Sequence, residues 1–117
     1  MNNKERGNHG ENIAVKFLKN IGYEIIARNY WLKFGEIDII AIDNEYVVFV
    51  EVKTRVNDNY GMPIEAVGLI KQKTIRKVGE YFWLTQGYKE KQPRFDIIEV
   101  LEYENIKYAV RHNKNAF

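Results

Sequence analysis

Apolar residues at Ile13, Ala14, Phe17, Leu18 and Ile21 recur at three- and four-residue intervals, which predicts an amphipathic helix over residues 10–21 with one buried stripe. Gly22 stands just past its last turn, where a left-handed residue commonly ends a helix. The period then shortens to two. Strands are predicted over Tyr23–Tyr30, over Glu36–Asp43 after a turn near Gly35, and over Tyr46–Arg55, the first being the least regular. Asn44-Glu45 suits a tight hairpin between the second and third. The run YVVFVEV is apolar on both faces, as a central strand covered on two sides must be. The polar stretch 56–62 reads as a loop. Pro63 suits the first turn of a second helix reaching about Gln86, with a break near Gly68 and with Val67, Ile70, Val78 and Phe82 among its apolar positions. Gly87 is a stop signal. Two further strands follow, Arg94–Leu101 and Ile106–Val110, joined by a turn at Glu104-Asn105. The order αβββαββ predicts an α/β fold, a mixed β-sheet flanked by helices in a single domain over residues 1–117, with no internal repeat.

Composition narrows the chemistry. The 117 residues are 45% hydrophobic and 14% aromatic, enough for one core and unlike a disordered or low-complexity chain. There is no cysteine, so a disulfide framework, a thiolate zinc site and a thiol nucleophile are all excluded. Two histidines, His9 and His112, cannot build a histidine-rich metal site, and both read as exposed polar residues. A bound metal must then be held by oxygens, which selects magnesium, manganese or calcium. The amino terminus MNNKERGNHGEN lacks the apolar segment of a signal peptide, and the longest strongly apolar run, Tyr46–Val50, is far short of a membrane span. A cytoplasmic protein without membrane association is expected. The net charge of +2 decides little. Lys71, Lys73, Arg76 and Lys77, however, cluster on the second helix, either as a solvated face or as a surface for phosphate.

A few charges break the apolar pattern. Asp38 sits between isoleucines in GEIDIIAID, and Glu51 and Lys53 sit in VFVEVKTR. Strand alternation points Glu51 and Lys53 to one face, following Val47 and Phe49, so two charges emerge where an apolar row ends. The hairpin brings Asp38 within reach of Glu51. Two neighbouring carboxylates repel each other, and a divalent cation relieves that repulsion. An ordinary ion pair at a strand end is the competing reading.

Asp38 followed by Glu51-Val52-Lys53 resembles the D…(D/E)xK signature of the PD-(D/E)xK nuclease superfamily, which has the restriction-endonuclease-like fold; Ile37 stands where the signature has proline. Gly7-x-x-Gly10-Glu11 resembles the additional acidic position of resolvase-like branches. More closely, GNHGENIAVKFL, NYWLKFGEIDIIAID, VFVEVKTR, RFDIIEV and the terminal HNKNAF resemble the UPF0102 (YraN-like) family, over nearly the whole chain. The resemblance implies Mg2+ or Mn2+ held by Asp38 and Glu51, with the Val52 carbonyl and waters completing the shell. It implies Lys53 beside the attacking water, and Glu11 holding a second metal or a metal-bound water. Glu11 also reads as a carboxylate favoured by the start of a helix. Glu36 reads as an outer carboxylate or as a partner of Arg28 or Lys33.

Lys71 falls where related nucleases place a basic or amide residue, and Arg55 follows Lys53 on the same face; both are candidates for contacting nucleic acid. Arg94 and Asp96 read as a buried pair or as catalytic groups. Tyr30, Trp31 and Tyr60 can stack on bases or pack at the rim.

Two functions follow from this reading. The first is a metal-dependent nuclease acting on DNA phosphodiesters, selective for structure because no separate sequence-reading module is present, with a homodimer by analogy with resolvases. The second is a protein that keeps the fold and binds nucleic acid or a partner without turnover. The presence together of Glu11, Asp38, Glu51 and Lys53 favours the first.

Overall fold

In the computed structural model, residues 2–56, 67–103 and 107–117 are described. The chain forms α1 (Asn3–Asn20), β1 (Glu24–Leu32), β2 (Gly35–Asp43), β3 (Tyr46–Val56), α2 (Leu69–Thr85), β4 (Gln92–Tyr103) and β5 (Lys107–Asn113). One five-stranded sheet runs β1-β2-β3-β4-β5. Its pairs are antiparallel except β3–β4, which is parallel and joined through α2. The expected mixed sheet flanked by helices is therefore present, with β3 at its centre.

The two helices cover opposite faces. Ala14, Val15 and Leu18 of α1 pack with Ile39, Ala41, Val48, Val50, Ile98 and Val100. On the other face Ile75, Val78 and Phe82 of α2 pack with Ile40, Val47, Phe49, Phe95 and Ile97. Alternate residues of β3 serve the two clusters, which explains why its sequence is apolar without a polar face. Among the described residues no helix is long and apolar enough to cross a membrane.

Element ends differ from the sequence reading for identifiable reasons. Helix α1 starts at Asn3, seven residues before the first apolar stripe residue would place it. Its opening turns are polar, so hydrophobic period cannot detect them. Asn2 caps the helix by accepting a 2.8 Å hydrogen bond from Glu5 N, and Glu5 sits favourably in the first turn. The anticipated break near Gly68 is the N-cap of α2, extended at φ −64°, ψ 155°. Pro63, the 57–62 portion of the expected loop, Tyr60 and the Glu104-Asn105 turn lie outside the described residues. Strand β5 continues to Asn113 because Arg111 and His112 are tied to β4. Gly22 (φ 96°) ends α1 as expected, with Tyr23 N donating to Leu18 O at 2.9 Å. Asn44 (φ 51°) makes the β2–β3 hairpin turn between the paired residues Asp43 and Tyr46.

Gly10 sets how close α1 lies to β3. A Cβ at this position would collide with the Thr54 side chain, meeting Oγ1 first and then Cβ and Cγ2 at 3.2 Å. Gly10→Ala is expected to cost about 1–3 kcal/mol in urea unfolding as the helix is pushed outward. The double variant with Thr54→Ala should recover much of that loss. A single substitution that costs nothing would mean that α1 is not seated against Thr54.

Candidate active site

Asp38 stands where strand alternation slips. Ile37 packs into the α2 cluster, whereas Ile39 and Ala41 pack into the α1 cluster. The β2–β3 ladder reaches Ile39↔Val50. Beyond it, Val52 N donates to Asp38 Oδ2 at 2.8 Å, so a carboxylate takes a backbone donor of β3. Glu51 continues the Val47–Phe49 row on the α2 face and is 7% exposed. Lys71, in the first turn of α2, places Nζ 2.7 Å from Glu51 Oε1.

Helix α1 supplies the third carboxylate. Asn3, Gly7 and Glu11 recur at four-residue spacing and therefore share one helix face. Together with Arg6 they line an open pocket of about 330 Å³ whose remaining wall is Asp38, Glu51, Val52 and Thr54. The close approach at Gly10 is what seats this face of α1 over the end of β3. Arg28 Nη2 lies 3.9 Å from Glu11 Oε1 and donates to Asn12 Oδ1 at 2.8 Å. Asn29, in a left-handed conformation (φ 50°) on β1, lies close enough to lower the Glu11 carboxyl.

The electrostatics follow from this crowding. Burial, then the Glu51 charge, push Asp38 up to about 7 against the pull of the Val52 N–H. Burial also raises Glu11; Arg28 and Asn29 oppose the rise, and Glu36 and Glu51 add to it. Lys71 is held above its ordinary value: burial lowers it, but the hydrogen bond and charge of Glu51 outweigh burial, helped by Asp38 and Glu36. The site thus gathers mutually repelling carboxyl groups and draws in one ammonium as counterion.

These donors fit a hard divalent cation. Glu11 Oε1 is buried without a hydrogen-bond partner among the described residues, and the carboxyl ligand atoms at the pocket are oxygens. Among the described residues no three Asp, Glu or His side chains are drawn tightly around one point. The pocket therefore offers a pair of carboxylates and room for water, a donor set of the kind suited to magnesium, which sheds its waters reluctantly.

Of the residues singled out from sequence, Glu11, Asp38, Glu51 and Val52 share the pocket, and Lys71 joins it through Glu51. Lys53 and Arg55 stand further along β3. Lys53 is in register with Glu99 of β4, and Arg55 Nε lies 3.6 Å from Glu99 Oε2. Glu99, fully buried, also accepts a 2.9 Å hydrogen bond from Arg111 Nη2. Arg55 is thus ion-paired within the sheet face. Arg94 and Asp96 form a buried pair 2.8 Å apart; they stand in register with Val48 and Val50 of β3, on the side of Glu51 nearer the start of that strand.

The histidines are not the exposed residues expected. His9 Nε2 and Tyr108 Oη share a 2.6 Å hydrogen bond, and the His112 side chain is 7% exposed against Asp96. Tyr30 packs edge-on to Phe82, whereas Trp31 is 68% exposed. Sequence reasoning missed Asn3, Arg6, Thr54, Asn29 and Glu99. The four-residue repeat of Asn3, Gly7 and Glu11 was the one signal that pointed to the first of them.

The family described as "Uncharacterised protein family UPF0102" matches residues 10–100. The chain is similar to a UPF0102 protein of Caldicellulosiruptor saccharolyticus, 48% identical over 120 residues and covering all of both chains. It is also similar to one of Alkaliphilus oremlandii, 50% identical over 117 residues, covering 98% of this chain and 99% of the relative. A third, from Caldanaerobacter subterraneus subsp. tengcongensis, is 45% identical over 119 residues, covering 100% and 98%.

Proposed function

We propose that this chain, which belongs to the UPF0102 family, is a divalent-metal-dependent nuclease that hydrolyses DNA phosphodiester bonds in the cytoplasm and selects its substrate by structure. The observation that carries the reading is the pocket lined by Asp38, Glu51 and Glu11, where among the described residues Glu11 Oε1 is buried without a hydrogen-bond partner. A structural role alone does not call for carboxyl groups that raise one another across a shared pocket.

Asp38, Glu51 and the Val52 carbonyl would hold Mg2+ or Mn2+, and Glu11 would hold a second ion or a water of the first. The bound ion supplies Lewis-acid polarisation of the phosphate and a water acidic enough to attack at neutral pH. The chain's own groups do the rest. The Val52 N–H fixes the Asp38 carboxylate by its 2.8 Å hydrogen bond. Lys53, on the same strand face as Glu51 but outside the pocket lining, would reach the attacking water with its long side chain and offset negative charge building on the phosphate. Arg28 pairs with Glu11 across the pocket from the β1 side. A homodimer would present two such pockets to two strands.

The test is calorimetry with Mn2+, followed by cleavage of linear, single-stranded and branched DNA. Wild type should bind the ion, and Glu51→Ala should abolish both binding and cleavage. Lys53→Met should retain Mn2+ binding and cut cleavage by about 10²–10³-fold, the scale of losing one charge-stabilising donor. Metal binding without cleavage of any substrate would instead support a binding protein that keeps the nuclease fold. Absence of metal binding would reject the reading.

A further inference from the structure

Lys71 reaches the acidic pocket from the first turn of α2, with Nζ 2.7 Å from Glu51 Oε1. The two partners are unequal. The Glu51 side chain is 8% exposed and fixed in the sheet, whereas that of Lys71 is 55% exposed on a flexible four-carbon stem. The ammonium is therefore the partner that moves. Asp38 and Glu11 border the same pocket, so the field that holds Lys71 is the field that would hold a cation. Two positive charges cannot share one carboxylate oxygen without repulsion, so ammonium and metal compete for it.

We propose that Lys71 is an exchangeable counterion: it neutralises Glu51 in the metal-free protein, leaves when a divalent cation takes that carboxylate, and then pairs with a phosphate of the nucleic-acid strand. This inference rests on the nuclease reading above. One side chain thereby couples the two binding events. Metal frees a phosphate contact that is otherwise neutralised internally, and by reciprocity the substrate's phosphate, by holding Lys71 away, favours metal binding. The exposed stem allows the exchange without movement of the helix or the sheet.

The experiment compares wild type, Lys71→Met and Lys71→Arg, each confirmed as folded by circular dichroism. Mn2+ alone is titrated by calorimetry. Lys71→Met should bind it about three- to tenfold more tightly, the scale of removing a partly exposed ion pair, and Lys71→Arg should stay within about twofold of wild type. Affinity for a labelled DNA duplex is then measured over a salt series, in EDTA and in Ca2+. In EDTA, Lys71→Met should match wild type. In Ca2+ it should bind more weakly, with a salt slope smaller by about one.

Wild type that binds Mn2+ while Lys71→Met binds it no more tightly overturns the exchange and leaves the nuclease reading standing. A DNA-affinity loss equal in EDTA and Ca2+ also overturns it, because Lys71 would then be a permanent phosphate contact. No DNA binding under either condition overturns the phosphate half. Failure of all three proteins to bind Mn2+ overturns the nuclease reading and the exchange with it.

Discussion

Asp38→Asn is expected to make the metal-free protein more stable above neutral pH and, by the same substitution, to remove its divalent-metal binding. Burial and the neighbouring Glu51 push Asp38 from 3.8 up to about 7. Between those values the folded protein keeps a proton that the unfolded chain has released. The folded state binds more protons in that window, so this group's effect is that stability falls as pH rises from about 4 to about 7 and stays lowered above it. Asparagine still offers an oxygen to the Val52 N–H, which is 2.8 Å from Asp38 Oδ2 in the wild type, but carries no charge to repel Glu51. In urea unfolding at pH 8 with EDTA, the variant should exceed wild type by about 1–4 kcal/mol, and its pH profile between 4 and 7 should be flatter. Calorimetry with Mn2+ should show affinity lowered by at least about 100-fold, because one of two anionic ligands is gone. A variant no more stable than wild type at pH 8 would show that Asp38 carries its charge without penalty and would remove the electrostatic argument for a cation. Stability gained on losing a functional group is the signature of a site built at the expense of the fold.

The opposite outcome is expected at Asp96, which stands in register with Val50 of β3. Asp96 is fully buried and accepts hydrogen bonds from Arg94 Nε (2.9 Å), Arg94 Nη2 (2.8 Å), His112 Nε2 (2.7 Å) and Asn115 N (2.9 Å). Arg94 also donates to Asp43 Oδ2 at 2.8 Å and to Tyr23 Oη at 2.7 Å. One buried cluster thus joins the start of β1, the end of β2, strands β4 and β5 and the carboxy-terminal segment. Asp96→Ala leaves the Arg94 guanidinium buried with only Asp43 to balance it. Breaking such a pair costs about 3–5 kcal/mol, a large share of the stability of a small domain. Urea or thermal unfolding measures this directly.

Burial tends to raise Asp96, but His112, Arg94 and the Asn115 N–H outweigh it and hold the carboxyl below its ordinary value. Its contribution is therefore present above the ordinary carboxylate range and is lost as pH falls through the lowered value, so the variant should lack part of the wild type's acid transition. Mn2+ affinity of the folded fraction at low temperature should stay within a few-fold of wild type. A stability loss under about 1 kcal/mol would show that the cluster is not a structural clasp.

Much of the architecture follows from local pattern. The Ile13–Ile21 stripe, the doubly apolar YVVFVEV run and the turn residues Gly22 and Asn44 determined the helix, the central strand and the hairpin, because burial imposes its period on the residues themselves. The same logic exposed Asp38 and Glu51 as charges standing where apolar residues should continue. It did not show the slip at Asp38 between Ile37 and Ile39, because period-two reasoning assumes that the ladder continues.

Polar partnerships were hidden in a different way. His112 reads as a surface residue until β5 lays it against Asp96, and Arg55 reads as a phosphate ligand until β4 places Glu99 beside it. Lys71 lies twenty residues beyond Glu51, and Arg94 lies seventy-one beyond Tyr23. Apolar residues need only a buried face, and any face of the right period will do. A charge needs one particular partner at hydrogen-bond distance, and only the folded chain decides which partner that is.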